Sequence, residues 1–223
     1  MGLFSKKNTE CPVCGGEVKG LFLVKLNDKR ELCKTCSKKV SMQKDLLKDA
    51  DEAYMREHIT YRDKNAERYQ ELDTAYEVDF CFLKVGADLE KRMLYIKHDS
   101  MKSEDNPSVF DFDEITGYKL FRLKKLVDSD QEPGETCLES TLSAISGIAQ
   151  AISGKDNAAS DYLLLELTTT NKYWPVISIR MEVSSENLYG MFGTGVYMEE
   201  IGQLMKGIVR KENIHWGGQM IQA

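Results

Sequence analysis

Cys11-Pro12-Val13-Cys14 and Cys33-Lys34-Thr35-Cys36 are two Cys-x-x-Cys pairs with eighteen residues between them. Pairs at this spacing can bring four thiolates onto one tetrahedral metal ion, for which zinc is the favoured occupant. Because four cysteines fill the coordination sphere, no position is left for a reactive water. The sequence therefore predicts one structural Zn²⁺ ion with four ligands, Cys11, Cys14, Cys33 and Cys36.

The segment between the two cysteine pairs predicts a hairpin. Residues 17–32 contain two short apolar runs that flank an Asn27-Asp28 turn. This pattern predicts a zinc ribbon over residues 1–39. A piece of about 35 residues buries too little surface to fold unaided, whereas a structural zinc ion binds with roughly 10–16 kcal/mol of apparent free energy. We expect residues 1–39 to be unfolded without the metal.

Two other uses of the four thiols are weighed against zinc. Disulfides require an oxidising compartment, but residues 1–10 lack the apolar segment and cleavage site of a signal peptide. We therefore expect reduced thiols and a cytoplasmic protein. Iron on the same sulfurs would give a redox centre, which usually needs a packed aromatic shell. Phe22 is the one aromatic residue between the pairs, so zinc is favoured and iron remains the alternative.

Charge is unevenly distributed along the chain of 223 residues, whose net charge is −6. Residues 1–44 hold ten Lys or Arg against four Asp or Glu, a net of +6, which leaves −12 on the remainder. A basic end suits contact with nucleic acid or an acidic partner, although lysines can also serve only to keep a small module soluble. The candidate contact residues are Lys19, Lys25, Lys29, Arg30, Lys34, Lys38 and Lys39.

Membrane binding is not expected from the sequence. No apolar run approaches the length of about 20 residues that crosses a bilayer. The first residues resemble a myristoylation signal, but Lys6 stands where Ser or Thr is required. The negative charge of the remainder also disfavours contact with anionic lipid.

Residues 40–75 predict a helical linker. The sequence from Lys38 to Asp73 contains no Gly or Pro and is rich in helix-forming residues, which indicates one long helix or two helices joined near His58. Its apolar stripe is narrow and rich in tyrosine, so we expect it to pack on the next domain or on a second copy of the chain. His58 is interpreted as a partly buried histidine with a satisfied hydrogen bond rather than a ligand or base.

Residues 76–211 predict an antiparallel β domain with one inserted helix and one C-terminal helix. The β-prone runs are residues 78–83, 93–96, 109–112, 118–123, 162–168 and 176–181. Residues 128–133 predict a loop, and residues 138–153 predict a helix that lies on the β domain or is buried in an oligomer. Residues 196–211 predict an amphipathic helix that closes a small β-barrel or curved sheet. The tail, residues 212–223, receives no assignment, and the predicted class is α+β.

Two resemblances follow from these motifs. Residues 11–36, with the later Glu57-His58-Ile59-Thr60-Tyr61-Arg62-Asp63-Lys64-Asn65, resemble an N-terminal zinc-ribbon domain of unknown function found in many bacterial and phage proteins. Ser108-Val109-Phe110-Asp111-Phe112-Asp113-Glu114-Ile115-Thr116-Gly117-Tyr118-Lys119-Leu120, with the later strands and final helix, is similar to bacterial pleckstrin-homology-like domains. The resemblance implies a binding or scaffolding protein and names no ligand.

Patterns typical of enzymes are missing from the sequence. It has no P-loop, no Gly-x-Ser-x-Gly and no His-Glu-x-x-His. Residues 190–195 carry glycines in reversed order relative to the dinucleotide fingerprint and predict a loop. Asp111, Asp113 and Glu114 are interpreted as solvated or capping residues rather than cation ligands. His98 and His215 have no partner that sequence can assign, Cys81 is expected in the core and Cys137 in a loop.

Two hypotheses of function remain. In the first, the protein is a non-catalytic adaptor that docks a protein partner, for example by adding a strand at a sheet edge. In the alternative, the basic ribbon binds nucleic acid, with an affinity that falls steeply as salt rises. A single ring at Phe22 weighs against single-strand binding, which generally uses several stacking rings.

Overall fold

The computed structural model of the protein describes residues 9–80, 83–102, 105–122, 125–129, 161–183 and 188–221. Its helices are α1 (Lys34–Lys39), α2 (Lys44–Asp49), α3 (Glu52–Gln70) and α4 (Leu188–Arg210). Its strands are β1 (Glu77–Phe80), β2 (Leu83–Asp88), β3 (Met93–His98), β4 (Ser108–Asp111), β5 (Ile115–Arg122), β6 (Lys125–Ser129), β7 (Asp161–Thr169), β8 (Val176–Val183), β9 (Ile214–Trp216) and β10 (Gln219–Ile221). Helices and antiparallel strands occur together, which confirms the predicted α+β class.

The strands form two separate four-stranded sheets and a hairpin. The first sheet has the order β1-β2-β3-β4, the second has the order β6-β5-β7-β8, and β9 pairs with β10. Every pairing is antiparallel. The described residues therefore contain no closed barrel, and the predicted β-barrel is corrected to two sheets. The break between them follows from the chain turning through a 3₁₀ turn, Phe112–Glu114, before β5 joins β7 instead of β4.

One hydrophobic core lies between these elements. Alternate side chains of β7 and β8 are buried, as the period-2 pattern predicts, among them Leu167 and Ile179, whereas β3 and β4 bury consecutive residues such as Val109 and Phe110. The last helix contributes Ile201, Leu204, Met205 and Ile208 to the same core. Because α4 contacts β1 of the first sheet as well as β5 and β8 of the second, it joins the two sheets.

The helical stretch of residues 38–73, predicted as one helix or as two joined near His58, is interrupted twice. The chain is extended at Val40, after α1, and again at Ala50, after α2. The side chain of Asp51 then accepts a hydrogen bond from the Tyr54 N–H at 2.8 Å and caps the start of α3. His58 lies inside α3 rather than at a junction; the two breaks occur at residues 40–43 and 50–51, so the predicted position is wrong.

Several strand and loop predictions are also corrected. The run 78–83 is divided between β1, which ends at Phe80, and β2, which begins at Leu83. Residues 128 and 129 belong to β6 rather than to a loop, and the predicted loop at residues 190–195 lies within α4. Glycine costs only about 1 kcal/mol in a helix, which tertiary packing readily offsets. The remainder of the loop 128–133, the predicted helix 138–153, Cys81 and Cys137 lie outside the described residues.

The C-terminal segment, which the sequence left unassigned, forms a hairpin. Gly217 and Gly218 have φ values of +57° and +79°, and a two-residue type I′ turn requires positive φ at both positions. The indole Nε1–H of Trp216 donates to the Tyr76 carbonyl at 3.2 Å, and the Trp216 side chain is buried. The hairpin therefore closes over the start of β1.

Among the helices that the structure describes, none combines the length and apolar character needed to cross a membrane.

Candidate metal centre

The four cysteines of the two pairs come together at one point. Their sulfur atoms all lie within 4.8 Å of one another, and the Cys14 and Cys33 sulfurs are 3.6 Å apart. Four sulfurs around a tetrahedral zinc ion, at Zn–S distances near 2.3 Å, would be separated by about 3.8 Å. Only a small contraction is needed to reach that geometry. The predicted clustering of Cys11, Cys14, Cys33 and Cys36 is confirmed, and the site is compatible with zinc.

The first pair lies on a tight turn. The Cys11 N–H donates to the Gly16 carbonyl at 2.7 Å, and the Gly15 N–H donates to the Cys11 carbonyl at 2.8 Å. Gly15 has φ of +72°, a conformation that glycine adopts without strain. The Gly16 N–H then donates to the Cys14 sulfur at 3.4 Å. A backbone donor aimed at sulfur stabilises the thiolate form that a metal requires.

The second pair lies at the start of a helix. Cys33 is the N-cap of α1, and its sulfur accepts a hydrogen bond from the Cys36 N–H at 3.5 Å. Between the pairs, the turn at Asn27-Asp28 is present, with Lys25 and Glu31 forming a bridge across it. The zinc ribbon predicted over residues 1–39 did not include the helix α1. The structure shows a cysteine turn, a short hairpin turn and a helix start around one centre.

The thiols of this cluster differ in acidity. Burial alone would raise the pKa of Cys11, but backbone hydrogen bonds from Cys33, Cys14 and Val13 lower it to about 7. Burial, together with the adjacent sulfurs of Cys14 and Cys33, raises the pKa of Cys36. One thiolate therefore forms readily, whereas additional negative charge is disfavoured. A bound dication removes this penalty because it stabilises every thiolate, which is the chemistry expected of a four-sulfur metal site.

Residues 9–39, which carry the four cysteines and which we call the cysteine module, are fixed to α3 by arginines. The Arg56 guanidinium donates to the carbonyls of Pro12 and Val13, which lie inside the first cysteine pair. It also pairs with Glu52 at 2.9 Å, and Glu52 accepts from Arg30 at the same distance. Because two of these contacts end on the cysteine turn itself, α3 helps to hold the first pair in position.

The segment between α1 and α2 is fixed to the body of the protein. The Ser41 N–H donates to Nε2 of His58 at 3.2 Å, and the Ser41 hydroxyl donates to the Met101 carbonyl at 2.6 Å. The Gln43 N–H donates to the Tyr173 carbonyl at 3.0 Å. His58 is fully buried and its ring lies 4.5 Å from that of Tyr173. Burial, aided by the nearby charge of Arg62, lowers the pKa of His58 to about 3. The predicted hydrogen bond of His58 is present at Nε2, but the side chain is fully rather than partly buried and its Nδ1 has no partner among the described residues.

The tyrosine stripe of α3 packs on the β domain. Tyr54 and Tyr61 contact the ring of Tyr173 at centroid distances of 5.6 and 4.7 Å, and Tyr69 contacts Tyr95 at 5.0 Å. The first of the two packing partners that the sequence suggested, the next domain, is thus confirmed for this stripe.

Four of the seven predicted basic contact residues have acidic partners. Lys19 pairs with Glu17 at 2.7 Å and Lys25 with Glu31 at 3.4 Å. The other two pairs are Arg30 with Asp28 and Lys39 with Asp63. Lys29, Lys34 and Lys38 are exposed and have no ion pair with any described residue. The net charge of +6 already counts Glu17, Asp28 and Glu31, so only the partners outside residues 1–44, Asp63 on Lys39 and Glu52 on Arg30, offset that charge further.

The remaining candidates behave as capping or packing groups. Glu114 accepts a hydrogen bond from the Asp111 N–H at 2.9 Å, and Asp111 pairs with Arg68 at 2.7 Å. Glu114 therefore caps the turn, Asp111 forms an ion pair, and Asp113 is exposed. His98 bonds to the Ser100 hydroxyl at 2.7 Å, and His215 is exposed.

The structure exposes two neighbouring apolar side chains that the sequence did not predict to be exposed, Leu21 and Phe22, which we call the Leu21-Phe22 tip. Leu21 is 84% exposed and Phe22 is 100% exposed. Phe22 has φ of +59°, which is unusual for a bulky residue, and Gly20 before it has φ of +130°. A Gly followed by two large apolar residues was the available signal, but the apolar run suggested a strand instead.

No protein-family model matches this sequence, and comparisons with curated proteins and with solved structures find no match.

Proposed function

We propose that the protein is a non-catalytic adaptor in which a four-cysteine module, closed by one structural zinc ion, presents the Leu21-Phe22 tip to a protein partner. The observation that carries this proposal is the exposure of Leu21 and Phe22 side by side on the module. Burying one such side chain in a partner contributes roughly 1.5–3 kcal/mol. Two of them on a rigid loop give an anchor of the kind that protein interfaces use.

The metal supports this role through rigidity. A loop that is already ordered loses little conformational freedom on binding, so more of the contact energy appears as affinity. The partner expected from the chemistry of the tip is a protein with an apolar cleft. The rest of the chain is proposed to be a pleckstrin-homology-like body, which the two four-stranded sheets joined by α4 support.

Binding of nucleic acid through the module is the second candidate. It is favoured by the fully exposed ring of Phe22 together with Lys29, Lys34 and Lys38, which have no ion pair among the described residues. The acidic partners of Lys19, Lys25, Arg30 and Lys39 weigh against it. A basic side chain that is already paired must give up its ion pair before it can neutralise a phosphate, so the net gain in affinity is small.

The test is affinity capture with zinc-loaded protein from a lysate of the cells that make it. We compare the wild type with Leu21→Ser/Phe22→Ser, and with Met220→Ser as a control that removes an exposed apolar side chain elsewhere; Met220 is 57% exposed. The wild type and the control are expected to retain one protein in stoichiometric amount, and the double variant is expected to lose it. Equal capture by all three proteins, or no capture by any, would remove the proposal.

Titration of labelled single-stranded and duplex DNA and RNA at low salt separates the second candidate. The adaptor proposal expects no change in anisotropy. Binding that weakens steeply with salt and disappears in Lys29→Ala/Lys34→Ala/Lys38→Ala would favour the nucleic-acid function instead.

A further inference from the structure

A cavity of about 570 Å³ lies where α1, α3, the end of β3 and the described residues that follow it, 99–102 and 105–106, meet. Its volume falls in the range of roughly 300–1,000 Å³ that small-molecule sites occupy. It is separate from the four sulfurs and from the Leu21-Phe22 tip, since none of those residues lines it. The cationic residues on its wall are Lys38, Lys39, Arg62, Lys97 and Lys102.

Arg62 is the unusual member of this wall. Its side chain is only 2% exposed, yet no Asp or Glu among the described residues forms an ion pair with it. The Nη1–H donates to the Ser108 hydroxyl at 3.2 Å, the Nη2–H donates to the Asn106 carbonyl, and Nε has no partner. Three of the five guanidinium N–H bonds thus lack an acceptor within the described part of the chain. Arginine is almost never fully buried without a paired anion.

The rim of the cavity adds further positive charge. Lys38, Lys97 and Lys102 have no ion pair with a described residue, whereas Lys39 pairs with Asp63 at 2.5 Å. Among the described residues, three carboxylates line the cavity, those of Asp63, Asp99 and Asp105, so this described lining carries a net charge of +2.

His98 is also among the residues on the cavity wall. The Ser100 N–H donates to Nδ1 of His98 at 3.2 Å, which leaves the ring proton on Nε2. Burial lowers the pKa of His98, so this Nε2–H is that of a neutral ring. The cavity therefore combines the buried guanidinium of Arg62 with ammonium groups that have no ion pair among the described residues.

We propose that this cavity binds the phosphate group of a small phosphate ester, with Arg62 as the buried counter-charge and Lys97 and Lys102 closing over the anion. Phosphate suits the site better than a carboxylate because its three terminal oxygens can accept from a planar guanidinium and from two ammonium groups at once. Burial lowers the pKa of Arg62 to about 10, which still leaves it charged at neutral pH.

The first experiment is calorimetric titration of the zinc-loaded full chain with inorganic phosphate and with glycerol 3-phosphate. Substitution of the buried Arg62 would also disturb the fold. The test therefore uses the half-buried and exposed lysines of the rim, in the double variant Lys97→Ala/Lys102→Ala. The double variant is expected to weaken binding by at least about tenfold. The matched control, Lys48→Ala/Lys64→Ala, makes the same charge change outside the cavity and is expected to bind as the wild type does. Absence of binding to the wild type, or equal loss in both variants, would overturn the site.

Two further arms identify the source of the phosphate and the role of Arg62. Flotation with phosphatidylcholine vesicles containing phosphatidic acid, against vesicles containing phosphatidylserine, tests a lipid headgroup. If the protein floats only with vesicles that contain phosphatidic acid, and Lys97→Ala/Lys102→Ala does not float, the ligand is a lipid headgroup. If the protein binds glycerol 3-phosphate but does not float with either kind of vesicle, the ligand is a soluble ester. In both cases the Arg62 Nε–H nuclear magnetic resonance signal is expected to shift on titration. Binding that leaves this signal unmoved would contradict the role given to Arg62.

Discussion

At the scale of single residues, His58 shows how burial sets chemistry. Its Nε2 accepts from Ser41, its Nδ1 has no partner among the described residues, and the aromatic rings of Tyr61 and Tyr173 lie on it. Protonation would place a charge in this apolar surrounding beside Arg62. The folded state therefore favours the neutral ring, and the site serves packing rather than proton transfer.

The pH dependence of stability follows from this shift. The pKa of His58 is about 3 in the folded protein against the ordinary value of 6.5, so between these values the unfolded chain binds a proton that the folded chain does not. Stability is full above pH 6.5 and falls as pH decreases, by up to about 1.4 kcal/mol per unit. Thermal unfolding at pH 7 and pH 5 is expected to show a smaller pH effect in His58→Gln than in the wild type. Loss of zinc in acid affects both proteins equally. The same change in stability between pH 7 and pH 5 in the wild type and in His58→Gln would therefore contradict the lowered pKa of His58.

At the scale of elements, the β9–β10 hairpin depends on its turn. A Cβ atom at Gly217 would lie 2.4 Å from Cβ of Tyr76, whereas a Cβ at Gly218 would meet nothing within 4 Å. Both glycines have positive φ, so alanine at either position carries the same kind of backbone cost, about 1–2 kcal/mol. The difference between the two sites is the contact with Tyr76 at the start of β1.

Gly217→Ala is therefore expected to lower the free energy of unfolding by about 1–3 kcal/mol more than Gly218→Ala, the range typical of overpacking. Urea denaturation of the two variants beside the wild type measures the difference. Equal costs would mean that the hairpin does not press on Tyr76.

Elements were predictable where a local pattern decided them. The strands β3, β7 and β8 follow from period-2 runs, and the buried face of α4 follows from helical spacing. Two missed features had local signals, since Asp51 is a typical N-cap and Gly217-Gly218 is a typical hairpin turn. The division into two sheets had none, because which strand joins β5 is decided by long-range pairing.

The candidate sites divide in the same way. Cysteine spacing predicted the four-sulfur cluster, because each Cys-x-x-Cys pair is local and only one long-range contact was needed. Arg62 could not be found, since a cation in a charged helix reads as a surface residue until packing buries it. The Lys19 and Lys25 ion pairs likewise depend on neighbours brought close by the fold.

At the scale of the whole molecule, the cysteine module and the two sheets share contacts through α3. Arg56 ties α3 to the cysteine turn, Ser41 ties the segment after α1 to Met101, and Gln43 ties it to Tyr173. These contacts require the module to hold its shape. The account therefore depends on one premise, that the four sulfurs close on a single metal ion.

Native mass spectrometry of the purified full chain tests that premise most directly, with Cys14→Ser as the matched variant. The exposed Cys14 completes the four-sulfur set, and structural zinc contributes on the order of 10 kcal/mol. The account predicts one zinc ion per wild-type chain, loss of that ion on chelation, and weakened zinc binding in Cys14→Ser. A wild-type chain that carries no metal would contradict the premise, and a chain that carries iron would contradict the assignment of the ion as zinc.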